Sequence, residues 1–158
     1  MRRIYKELCE KYGLKYELNP LILEAMIMIE SGQEKWATRY ESRWIWFLTP
    51  IKYARLRGVT TKTERIHQST SWGLMQVMGT VARELGFKGN LPELCQPDIG
   101  VKYGAIKLSD LLDRYKALPL ALAAYNAGSP TSKAGAKYSD KVLFQFDLIL
   151  KSDAHKCK

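Results

Sequence analysis

The chain of 158 residues has the length of one domain, and 46% of it is hydrophobic, enough for a single sizeable core. Its formal charge of +9 suits anionic partners, among them nucleic acid, acidic membrane surfaces and bacterial wall polyanions; the plain alternative is a solvated basic surface with no specific partner. Three widely spaced cysteines (Cys9, Cys95, Cys157) argue against a disulfide framework or zinc ribbon, and two histidines (His67, His155) against a histidine-based metal site.

Charges recur through the first ten residues, unlike a secretory signal, and no run is long and apolar enough to span a bilayer, so the protein is expected to stay in the cytoplasm until something releases it. An amphipathic helix is predicted over residues 3–12, stopping at Gly13. Asn19-Pro20 is a strong helix start, with Asn as the cap and Pro in the first turn. The residues that follow, 21–29, are apolar almost all round, which places this helix in the middle of a core. It closes in Glu30-Ser31-Gly32, with the glycine as its stop.

Residues 35–65 hold three of the four tryptophans (Trp36, Trp44, Trp46) and eight basic residues against two acids. After Trp72-Gly73-Leu74-Met75-Gln76-Val77-Met78, a short helix is predicted near 80–85, closed by Gly86. Pro97 and Asp98 open a long helix with Val101, Ala105, Leu108, Leu112 and Tyr115 on its apolar face. Another runs from Pro119 to Gly128, followed by a Ser/Gly/Lys-rich loop over 129–137. A last helix from about Ser139 is expected to bury Val142, Phe146, Ile149 and Leu150. No alternating strand of useful length is visible, so the chain reads as one mainly α domain over 1–158, without internal repeats.

Glu30 carries the chemistry in this reading. A carboxylate closing a buried helix is poorly solvated, and it sits at the negative end of the helix dipole; both effects raise its pKa. A carboxylic acid that keeps its proton near neutral pH is suited to protonating a glycosidic oxygen. The bland alternative is a boundary glutamate turned to solvent.

Three segments together resemble the soluble lytic transglycosylase family of the lysozyme-like superfamily: Ile29-Glu30-Ser31-Gly32, Gly73-Leu74-Met75-Gln76, and Ala124-Tyr125-Asn126-Ala127-Gly128. Tyr138 with Lys141-Val142 is similar to the family's closing Tyr-x-x-Lys-Val stretch. The resemblance covers roughly residues 18–145 in the family's order, and a small basic member without a secretory signal suggests a phage-type one. It implies a lysozyme-like helical fold and cleavage of the MurNAc-β-1,4-GlcNAc bond of peptidoglycan to 1,6-anhydro-muramic products. Glu30 would be acid and then base, with no cofactor or metal. It further implies that Ser31 orients Glu30, that Met75 and Gln76 line the cleft, and that Tyr125, Asn126 and Tyr138 lie near the acid. Ser71, just before the second motif, is a further candidate for contacting substrate. Core packing is the competing reading of Met75.

Ordinary glycoside hydrolysis uses two carboxylates. Goose-type lysozymes share similar motifs, act as hydrolases, and carry aspartates between the first and second motifs. Between Glu30 and Gln76 the only acids here are Glu34, Glu41 and Glu64, which favours the one-carboxylate reaction. Glu41 or Glu64 serving as base would give a muramidase instead, and pairing with a nearby arginine is the bland reading of both. The gap between the first two motifs is longer than in typical members, and the segment at about 35–68 is expected to form additional helix or a lid. Its aromatic and basic residues fit glycan, anionic wall polymers or a membrane surface, or only pack a small core of their own. A non-catalytic wall-binding protein is the remaining alternative; no nucleic-acid module is recognisable, and a monomer is expected. A phage setting would have the protein pass a holin-type pore as an endolysin or travel in a virion.

Overall fold

The structure, a computed structural model, describes residues 2–156, and side chains as far as residue 154. Cys157 lies outside the described residues; Cys9 and Cys95 are buried free thiols. In chain order the elements are α1 (Lys6–Lys15), α2 (Pro20–Ser31), β1 (Thr38–Tyr40), α3 (Pro50–Arg57), α4 (Thr61–Gln68), β2 (Thr70–Trp72), β3 (Val77–Met78), α5 (Gly79–Glu84), a 3-10 turn (Leu91–Cys95), α6 (Pro97–Tyr115), α7 (Leu118–Ala127) and α8 (Lys133–Lys156).

Helix α2 forms the axis of the core, as its sequence requires. Asn19 accepts from the Leu21 amide at 2.9 Å, Pro20 occupies the first turn, and Gly32 caps the far end in the left-handed region at φ 58°. Leu23, Ala25 and Met26 are fully buried, with Ile27 1% exposed. Side chains of the size of Leu23, Met26 and Ile27 each stabilise the fold by roughly 1.5–3 kcal/mol when removed from water. Helices α1 and α8 pack on α2, while α7 lies between α6 and α8. Leu108 of α6, Leu122 of α7 and Val142 and Ile149 of α8 complete the core.

The helical reading needs four corrections. Helix α1 continues through Gly13 to Lys15, because Gly13 is where Leu18 and Pro20 pack: a Cβ there would stand 2.9 Å from the Leu18 carbonyl oxygen. The last helix begins at Lys133, six residues before Ser139, so half of the expected loop is helical. Leu150, expected inside, is 42% exposed. An antiparallel sheet is also present, ordered β1-β2-β3; its strands of two or three residues are too short to show alternation.

The 35–68 segment supplies β1, α3 and α4, as the expectation of additional helix requires. It is tied to the body through buried polar groups. Arg83 of α5 donates to both oxygens of Glu64, and Gln68 donates to Glu64 Oε1 at 2.9 Å. Gln68, fully buried, also accepts from the Leu48 amide at 2.8 Å and donates to the Leu48 carbonyl at 3.0 Å. A buried side-chain amide satisfied on both sides fixes the irregular chain it contacts.

Candidate active site

Glu30 lies one residue before the end of α2, where the helix leaves the core and opens into a cleft of about 370 Å³. Burial pushes its carboxyl above the ordinary glutamate range. Three neighbours pull the other way: first the Tyr138 hydroxyl, then the positive charges of Lys107 and Arg39. The Tyr138 hydroxyl is itself buried and meets no partner at full hydrogen-bond geometry; Glu30 is the charged group it interacts with most directly. The surroundings thus hold the Glu30 carboxyl above its ordinary range while retaining cations that stabilise its anion.

Lys107, from the middle of α6, is the group that sequence reasoning missed. Its ammonium donates to the Tyr125 carbonyl at 2.8 Å and lies 3.8 Å from the centre of the Tyr125 ring. Burial lowers its pKa to about 8, against the charges of Glu30 and Glu84, which raise it. In sequence it passes for a solvated lysine beside an apolar stripe. The one available signal was its position on α6 next to Gly104 and Leu108, both of which are buried.

Tyr125 and Asn126 close the lower wall at the end of α7. The Tyr125 hydroxyl donates to the Met75 carbonyl at 2.8 Å, joining the third motif to the second. Asn126 is exposed on the cleft, with its amide available to a ligand.

The opposite wall comes from the sheet. Register pairs Arg39 with Ser71 and Ser71 with Met78. Cross-strand partners share a face, so these three form one row, and all three line the cleft. Gln76 holds the sheet in place. Its Nε2 donates to the carbonyls of Ala37 and Gly73, each at 2.9 Å, which leaves Oε1 as the atom available to substrate. The turn depends on Gly73, at φ 67°, where a Cβ would come within 2.3 Å of the Leu94 carbonyl oxygen.

Three of the residues expected from sequence take places other than those implied. Met75 is fully buried against Gly104, where a Cβ would meet its sulfur at 2.3 Å; it packs the core, and Met78 takes the place in the cleft wall. Ser31 donates to the Ile27 carbonyl at 3.0 Å, one helical turn back, and not to Glu30. Glu64 is 1% exposed and held by Arg83, away from the cleft, so it is no candidate for a second carboxylate. Glu41 does line the cleft, but Arg39 holds it in an ion pair at 2.6 Å. Among the described residues no group of three or more His, Cys, Asp or Glu is placed to hold a metal ion.

Comparison with known proteins agrees with this geometry. Residues 7–145 match the family model described as the transglycosylase SLT domain, and the chain belongs to that family. No curated protein matches the sequence. Among solved structures it is similar to an inactive glutamate-to-glutamine variant of the lytic transglycosylase Slt from Pseudomonas aeruginosa, with a TM-score of 0.66 and 18% identity. That match covers 98% of this chain and 25% of the other, so the chain spans about a quarter of the length of that protein and shares its fold over that part.

Proposed function

We propose that the chain is a peptidoglycan lytic transglycosylase in which Glu30 acts alone, as acid and then as base. The observation that carries this reading is the setting of Glu30: a desolvated carboxyl in a cleft, facing a tyrosine hydroxyl and two cations. The protonated carboxyl gives its proton to the oxygen between muramic acid C1 and the next sugar, and the C1–O bond breaks with the pair leaving on that oxygen. Glu30 is now an anion, and Lys107 and Arg39 stabilise it. It takes the proton of the muramic acid C6 hydroxyl as that oxygen closes onto C1. A 1,6-anhydro end results, the carboxyl regains its proton, and no water is consumed. Family membership and the shared fold support the substrate class.

A second reading rests on Glu41, the other carboxylate of the cleft. As a base directing water it would make the protein a muramidase. Its ion pair with Arg39 counts against this role, since the arginine would have to release the carboxylate before it could accept a proton. Clearing of a cell-wall suspension by single variants separates the readings. Glu30→Gln stops clearing under both, whereas Glu41→Gln stops it only for the muramidase. Full clearing by Glu30→Gln would remove Glu30 from the reaction.

A further inference from the structure

A second groove, of about 430 Å³, adjoins the cleft on the far side of Trp44, whose side chain lines both. Its other walls are Tyr40 and Phe47, with Lys62, Arg65 and Ser69 contributed by α4 and the residue that caps it. The strand β1 connects the two spaces. Arg39 belongs to the row facing the cleft, while the next residue, Tyr40, lines the groove.

The groove is built before any ligand arrives. Trp44 donates from its indole nitrogen to the Thr80 hydroxyl at 3.0 Å and to the Trp46 carbonyl, so only its ring faces remain for contact. Thr80 is 2% exposed, and its single hydroxyl proton faces the carbonyls of Trp46 and Gln68, both at 3.0 Å. Together with the two bonds from Gln68 to Leu48, this fixes the chain that carries Trp44 and Phe47. A site ordered in advance loses little entropy on binding. Its chemistry is equally specific. Aromatic faces pack on the apolar faces of sugar rings, and cations placed beside them suit carboxylates. Arg65 holds its guanidinium 5.6 Å from the centre of the Phe47 ring, and Lys62 is exposed on the same helix.

We propose that this groove is an additional subsite for the glycan strand cut at Glu30, taking sugars on Tyr40, Trp44 and Phe47 and acidic stem peptides on Lys62 and Arg65. The inference rests on the glycan reading of the cleft and deepens it. A lipid surface is the competing occupant. It would recruit the most exposed apolar side chains of the segment, Ile45 at 70% and Trp46 at 65%, and neither lines the groove.

The test is a titration of Glu30→Gln protein with soluble, peptide-bearing glycan strands of four and of eight sugars, read as binding without turnover. The longer strand is expected to bind roughly tenfold more tightly, and adding Phe47→Ala and Arg65→Ala should abolish that gain while the shorter strand binds as before. Thermal melting of each variant verifies the fold. An undiminished gain in the groove variants overturns the proposal. So does loss of binding to anionic phosphatidylglycerol vesicles in those variants with the gain intact, which would assign the groove to lipid. Binding of both strands with no gain for the longer one contradicts the groove alone, whereas binding of neither contradicts the glycan reading of the cleft as well.

Discussion

Arg83 donates to both carboxylate oxygens of Glu64, at 2.9 Å and 3.1 Å, where neither side chain is more than 1% exposed. The same solution recurs at Glu24, which is buried at 4% and gripped by Arg3. Glu30 is treated differently. Among the described residues no arginine holds it at ion-pair distance, and the neighbour that lowers its pKa most is the weakly acidic hydroxyl of Tyr138. A bidentate arginine fixes a carboxylate as an anion and occupies its lone pairs. Leaving Glu30 without one keeps its oxygens open to proton exchange with a substrate.

Breaking the Glu64 pair should loosen the segment that carries the second groove. Either Glu64→Gln or Arg83→Met is expected to cost about 3–5 kcal/mol in urea unfolding, because each leaves a buried partner uncompensated. The double variant should recover a large part of that loss. Single variants as stable as the wild type would show that the pair is not desolvated as the structure has it.

Glu30→Gln should lower turnover by at least ~10²–10⁴-fold, the share carried by a general acid, while strand binding persists. Stability should move in the opposite sense. The folded-state pKa of Glu30 is raised, so between its unfolded and folded values the native chain binds more protons than the unfolded one, and stability falls as pH rises through that window. Glutamine removes this loss. Melting curves should therefore show the variant gaining on the wild type from pH 4 to pH 8; a constant difference would contradict the raised pKa.

Lys107→Met tests the cation beside Glu30. Its charge lowers the Glu30 pKa, so its removal should raise that pKa further and carry the basic limb of the kcat/KM profile to higher pH. The wild-type profile should also contain an ionisation near 8 that the variant lacks, since Lys107 is lowered to about 8 by burial. Identical profiles would mean that the two groups do not interact.

Gln76→Ala removes both bonds that tie the second motif to the chain entering β1. At roughly 1 kcal/mol for each hydrogen bond, a loss of about 2 kcal/mol in stability is expected. Arg39 and Ser71 depend on that placement, so turnover should fall by about 10-fold or more through misalignment of the cleft wall. Turnover at wild-type level would show that the sheet keeps its place without Gln76.

Much of this site was legible in the sequence because its parts are local. Glu30 ends a helix that is apolar on all sides, and Gln76, Tyr125 and Asn126 sit within short motifs whose backbone geometry the sequence sets. Other parts depend on contacts distant in sequence. Lys107 reads as solvated until α6 packs against α7 and its ammonium meets the Tyr125 carbonyl 18 residues on. The exchange of Met75 for Met78 follows from left-handed backbone at Gly73 and Gln76, which turns the chain between motif and strand. Whether Glu64 was a candidate base or a structural anion depended on Arg83, 19 residues away, which carried no local sign of the pairing.

The most direct test is the chemistry of the product ends. Purified peptidoglycan should be digested with the protein and the released muropeptides analysed by mass spectrometry before and after borohydride treatment. Action by Glu30 alone predicts muropeptides one water lighter than hydrolytic ones and inert to borohydride. Reducible ends of ordinary mass would contradict the single-carboxylate reaction and transfer the base to Glu41.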